Sequence, residues 1–91
     1  MRYRGYYYDT DFKSLTGTAN YRVADGLNPH SRILYEVKNY SGVLSYTKQL
    51  KDFYLWSYTY GYQMHLYTNA KLSSPLQDLV NSGKIQIFPL G

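Results

Sequence analysis

The stretch ILYEVKNYSG, Ile33 to Gly42, decides how this chain is read. Branched and aromatic residues dominate it, as in a half-buried strand. A period of two sets Ile33, Tyr35, Val37 and Asn39 on one face and Leu34, Glu36, Lys38 and Tyr40 on the other. The chain holds five aspartates but a single glutamate, and that glutamate stands in this apolar run, two positions before Lys38. Positions i and i+2 of a strand share a face, so an acid and a base are delivered side by side.

Towards the N-terminus, KSLTGTANYRVADGLNPHSR (residues 13–32) is punctuated by glycine and polar residues around a short strand in which Tyr21 and Val23 alternate with Arg22. In ADGLNPHS, Gly26, Asn28 and Pro29 are turn formers, and Pro29 pushes Asn28 away from helical dihedrals. The pattern predicts that the Tyr21 strand enters, turns and returns as RILYEVKNY, an antiparallel hairpin. Asp25, closing the first strand near the turn, then approaches Glu36 and Lys38 at one end of the sheet. The first twelve residues, MRYRGYYYDTDF, follow neither period and are left as an N-terminal segment without an assigned structure.

Towards the C-terminus, glycines bracket a helix of about four turns in SGVLSYTKQLKDFYLWSYTYGY (residues 41–62), with Ser45 as N-cap and Gly61 as the stop. Tyr46, Leu50, Phe53, Ser57 and Tyr60 recur on one of its faces, while Lys48, Lys51 and Asp52 project elsewhere. YQMHLYT alternates as a strand. SSPLQDLVNSGK then carries Ser74 as N-cap, Pro75 at the first helical position, Gln77 to complete a capping box and Gly83 as the stop. KIQIFPL is the last strand, ended by Pro89. Two strand-helix-strand units after a hairpin predict an α/β fold, a mixed central sheet with parallel pairs crossed over right-handedly. At 91 residues the chain forms one domain, 1–91.

Composition narrows the chemistry. With no cysteine, disulfides, thiolate zinc sites and cysteine nucleophiles are all excluded. His30 and His65 stand far apart without metal-ligand spacing, and no phosphate-binding glycine loop, G-x-S-x-G or H-E-x-x-H occurs. A net charge of +4 favours an acidic partner such as a nucleic acid, with Arg2, Arg4, Arg22, Arg32, Lys48 and Lys51 available to phosphates. Thirteen tyrosines suit half-wet surfaces, whether against bases or against a protein partner. No apolar run approaches the ~20 residues of a membrane helix, and the start lacks the apolar segment of a signal peptide. If the chain is exported, its address lies elsewhere.

Asp25, Glu36 and Lys38 together have a logic for phosphodiester hydrolysis. Hard carboxylate oxygens bind Mg²⁺ without saturating it, and the Val37 carbonyl, between Glu36 and Lys38, offers a third ligand. A bound metal polarises phosphate and lowers the pKa of water, while an adjacent lysine orients that water and balances developing charge.

These residues carry a resemblance. Asp25-Gly26, followed after a ten-residue interval by Glu36-Val37-Lys38, resembles the PD-(D/E)XK core of restriction-endonuclease-like nucleases, with Ala24 where the motif's name has proline. LTGTANYRVADGL, YEVKNYSGVLSYTKQLKDF and LSSPLQDLVNSGKI look like the restriction-endonuclease-fold toxin domains at the C-termini of bacterial polymorphic toxins, including contact-dependent growth inhibition effectors. The likeness covers all but roughly the first twelve residues. It implies a restriction-endonuclease-like core and a Mg²⁺-dependent endonuclease, Mn²⁺ substituting, with Asp25 and Glu36 as metal ligands and Lys38 as the water-orienting residue. It implies that Gln49 is the helix glutamine found near the scissile site in many such nucleases, with Asn39 and Thr47 as weaker candidates and Asp9 or Asp11 as an additional early acid. DNA is the favoured substrate, tRNA the alternative, and a noncatalytic binding module with a Glu36–Lys38 salt bridge the competing class. A toxin of this kind is exported within a larger protein, acts in the target-cell cytoplasm and requires a cognate immunity protein in the producer.

Overall fold

The computed structural model describes residues 10–91. A four-stranded mixed sheet forms its centre, in the order β3 (Gly26–Asn28), β4 (Ile33–Lys38), β6 (Gln63–Thr68) and β8 (Ile85–Phe88). β3 and β4 pair antiparallel; β4–β6 and β6–β8 pair parallel, crossed over by α1 (Lys48–Tyr60) and α2 (Ser74–Asn81). Both crossovers advance the same way across the sheet, so their common right hand sets both helices on one face. Two small pairs flank the sheet: β1 (Asp11–Lys13) antiparallel with β2 (Tyr21–Val23), and β5 (Val43–Leu44) parallel with β7 (Lys71–Leu72). The expected mixed α/β architecture is present.

Between helices and sheet lies the core. Leu34, Met64, Leu66 and Ile85 from the strands meet Leu50, Phe53 and Leu76 from the helices, each at most 1% exposed. Burying each such side chain contributes roughly 1.5–3 kcal/mol. On the other sheet face, Tyr35, His65, Tyr67 and Phe88 pack ring against ring, with Tyr67 stacked on Phe88 at 5.0 Å.

The hairpin differs from expectation in its first arm. Tyr21–Val23 pairs with β1, and the strand beside Ile33–Lys38 is Gly26–Asn28, from the segment expected to be turn. The turn needs only the residues after Asn28, whose Oδ1 accepts from the backbone N–H groups of His30 and Ser31, with Arg32 taking the left-handed conformation. Gly26 is therefore extended, and it serves packing: a Cβ there would lie 3.2 Å from the Tyr35 ring.

Helix starts also shift. Thr47, not Ser45, caps α1, its Oγ1 accepting from the Leu50 N–H, while Ser45 accepts from the Thr47 N–H through its carbonyl. Gly61 ends the helix in the left-handed region as expected, φ 74°. α2 begins one residue early, with Ser73 at the cap and Pro75 second in the helix; no capping box forms, because Gln77 Nε2 donates to Asn81 Oδ1 one turn on. Gly83, φ 78°, closes that helix.

Candidate active site

Strand β4 carries the site. Its helix-side face presents Leu34, Glu36 and Lys38 in succession, so the apolar anchor that holds the strand also draws Glu36 into the protein, leaving it 2% exposed. The register Gly26↔Tyr35 puts Asp25, just ahead of β3, beside Glu36. Asp25 thus reaches Glu36 from the open end of the hairpin, not from the turn end, because the turn lies after Asn28.

Contacts among the four expected residues are direct. Asp25 Oδ2 accepts from the Val37 N–H at 2.7 Å, and the Asp25 N–H donates to Glu36 Oε1 at 3.3 Å. Lys38 Nζ lies 3.2 Å from Glu36 Oε2 and also donates to Gln49 Oε1. Gln49 is the second residue of α1, so the first turn of that helix abuts the lysine. Within one strand residue the N–H and C=O leave on the same side. The Val37 carbonyl therefore faces the Asp25 side of β4, beyond the end of short β3.

Electrostatics make this arrangement unusual. Burial pushes the Glu36 carboxyl up, the Asp25 charge pushes it further, and Lys38 offsets only part of this, leaving it at about 7. Two carboxylates and a main-chain carbonyl around an undercompensated buried charge suit a hard divalent cation, which takes oxygen ligands and retains water. Among the described residues no group of three or more His, Cys, Asp and Glu gathers. Any such ion would rest on these two acids, the carbonyl and water.

Weaker candidates are elsewhere or otherwise occupied. Thr47 is the α1 cap, and Asn39 is exposed just past β4. Asp11 belongs to β1, outside the central sheet, and Asp9 lies outside the described residues. His65 sits on the opposite sheet face against Tyr35 and Phe88, where burial lowers its pKa.

Two features escaped the sequence pattern. Thr68, paired with Lys38 across the sheet, donates from its buried hydroxyl to the Lys38 carbonyl at 2.6 Å and accepts from the Ala70 N–H, tying down the end of β4. Asp52 is fully buried on α1, where it accepts from Arg22 Nε and Ser14 Oγ at 2.7 Å each and from the Thr16 N–H at 2.9 Å. Burial alone would raise the Asp52 carboxyl, but Arg22, Ser14 and Thr16 outweigh it and hold it far below the usual carboxylate range. A run of Ser and Thr before Arg22 was the available signal for this latch.

Residues 6–76, well over half of the chain and including Asp25, Glu36, Lys38 and Gln49, match the model of the family described as restriction endonuclease fold toxin 7. The chain belongs to that family. No curated protein and no solved structure matches it. As a restriction endonuclease fold toxin, the chain is a nuclease-type toxin domain. No helix of this toxin among the described residues is long and apolar enough to cross a membrane.

Proposed function

We propose that the domain hydrolyses phosphodiester bonds of DNA with Mg²⁺, as the toxic effector of a bacterial competition system. The observation that carries this is the convergence of Asp25, Glu36 and Lys38, with Lys38 Nζ held between Glu36 Oε2 and Gln49 Oε1. Asp25, Glu36 and the Val37 carbonyl would hold the ion, whose chemistry when bound is to polarise the phosphate and acidify water. Asp25 reaches that position with one oxygen fixed on the Val37 N–H. Glu36 supplies a carboxylate whose proton comes off near neutrality. Lys38 keeps its ammonium at the site through two fixed acceptors, so it can orient the attacking water and balance charge on the phosphate in the transition state. Gln49 holds that ammonium without neutralising it.

Function as a toxin implies export within a larger protein, action in the target-cell cytoplasm and a cognate immunity protein in the producer. The test exposes plasmid DNA and total tRNA in parallel to the purified domain with Mg²⁺ or Mn²⁺, alongside Asp25→Ala, Glu36→Ala and Lys38→Ala. Plasmid loss confined to the wild type supports the proposal. Loss of tRNA alone replaces the substrate, and cutting by the variants removes the site.

A further inference from the structure

Apart from Arg2 and Arg4, which lie outside the described residues, the fold separates the cations that the sequence leaves equivalent. Arg22 is committed to Asp52, and Arg32 lies at the hairpin turn, where its guanidinium approaches Gly61. Lys48 and Lys51, in contrast, belong to the first turns of α1, whose second residue, Gln49, bonds Lys38. They stand three residues apart and so share a helix face, away from buried Leu50 and Phe53, and both are exposed.

Lys71 joins them from another element. Thr68 pairs with Lys38, and Lys71 follows three residues later, within about 11 Å of Thr68 by chain reach. It pairs with Val43 in the β5–β7 ladder, both side chains exposed, and the Leu44 beside Val43 leads directly into the α1 cap. Lys51 also lies over the Tyr46 ring, 5.6 Å from its centre, in that same connection.

Among the described residues, no carboxylate pairs with these lysines. α1 carries no acid in its first turn. Asp52 is buried under Arg22, and the other described acids outside the site, Asp11 and Asp78, belong to β1 and α2. The positive end of the α1 dipole adds to the same field.

We propose that Lys48, Lys51 and Lys71 form a phosphate-binding track, which holds the nucleic-acid backbone on the α1 side of the Asp25–Glu36–Lys38 site. It rests on the nuclease reading, since it presumes that a nucleic acid is the substrate. The track positions without reading sequence, because phosphate contacts carry no base information. It therefore contributes to KM and not to kcat.

The experiment measures binding of a short fluorescent DNA duplex to the domain in EDTA, where affinity is read without cutting, across a range of salt. Each phosphate contact contributes about 0.9 to the slope of log affinity against log salt on duplex DNA. Lys48→Gln/Lys51→Gln/Lys71→Gln should lower the slope by roughly two to three and weaken binding on the order of 100-fold at moderate salt. A control, Lys13→Gln/Lys84→Gln, removes exposed lysines from β1 and from the residue before β8 and should leave the slope nearly unchanged. All five positions are exposed, and thermal melting checks that each variant is folded. Unchanged binding by the triple variant, or an equal loss per charge in the control, overturns the track while the nuclease reading stands. A wild type that binds neither duplex nor single strand overturns both.

Discussion

Asp25 Oδ2 accepts the backbone N–H of Val37 at 2.7 Å, tying an acid from ahead of β3 to the residue between Glu36 and Lys38. This bond engages one of the two carboxylate oxygens. Asp25→Asn keeps an oxygen for Val37 and loses the charge. It should fold and melt like the wild type, within about 1 kcal/mol, while plasmid cleavage falls at least 100-fold, a loss of about 2.7 kcal/mol in transition-state stabilisation. Melting and cleavage measured on one preparation separate the two effects.

Glu36 makes the metal-free domain sensitive to pH. Its carboxyl sits at about 7 in the folded protein against 4.5 unperturbed. Between those values the folded state keeps a proton that the unfolded state has released, so stability falls as pH rises and the penalty is complete above about 7. The full effect is on the order of 3 kcal/mol. His65, whose pKa is lowered by burial, acts in the opposite sense below 6.5. The comparison with Glu36→Gln therefore isolates the glutamate: urea unfolding in EDTA should show the variant gaining on the wild type as pH rises from 4.5 to 7.

Asp52 provides the opposite pH signature. Its folded pKa is depressed, so its contribution is present above the ordinary aspartate range and is lost as pH falls below it. Removing one partner of a buried ion pair leaves the other uncompensated, at a cost of about 3–5 kcal/mol. Asp52→Asn, which retains an acceptor, should cost less than Asp52→Ala, and the gap between wild type and either variant should close under acid. Chemical unfolding at neutral and acidic pH measures both.

Gln49 accepts from Lys38 Nζ, and under the proposed function it acts through that lysine and not on the substrate. Gln49→Ala should lower kcat by about ten- to a hundred-fold with KM little changed, because it frees the ammonium without removing it. Gln49→Glu should shift the pH profile, since it supplies a charge where the glutamine supplied a dipole. A steady-state split of kcat and KM, with the pH profile of each variant, distinguishes positioning from a general loss of fold.

Much of this was legible because strand alternation is a local signal. ILYEVK alone put Glu36 and Lys38 on one face with Leu34, and the structure buries that face. The Gly61 stop was equally local. The first arm of the hairpin was not legible: Gly26–Asn28 reads as turn from glycine, asparagine and proline, and only contact with Tyr35 explains an extended Gly26. Thr47 displaced Ser45 as a cap because both residues suit the role and the β5–β7 pairing, a long-range contact, fixes where the helix starts. Asp52 was expected to project away from the packed face of its helix for the same reason, since its partners Arg22 and Ser14 lie 30 and 38 residues earlier in the chain. At the site, Asp25 stands beside Glu36 as expected although its neighbouring strand was misread, because the pairing of β3 with β4 still brings it there.

The most direct test of the central claim is cleavage of plasmid DNA by the purified domain with Mg²⁺, set against Lys38→Ala under the same conditions. The predicted result is degradation by the wild type, abolished by EDTA and absent in a Lys38→Ala protein that melts normally. Intact plasmid with both Mg²⁺ and Mn²⁺, or cutting by Lys38→Ala at the wild-type rate, would contradict it.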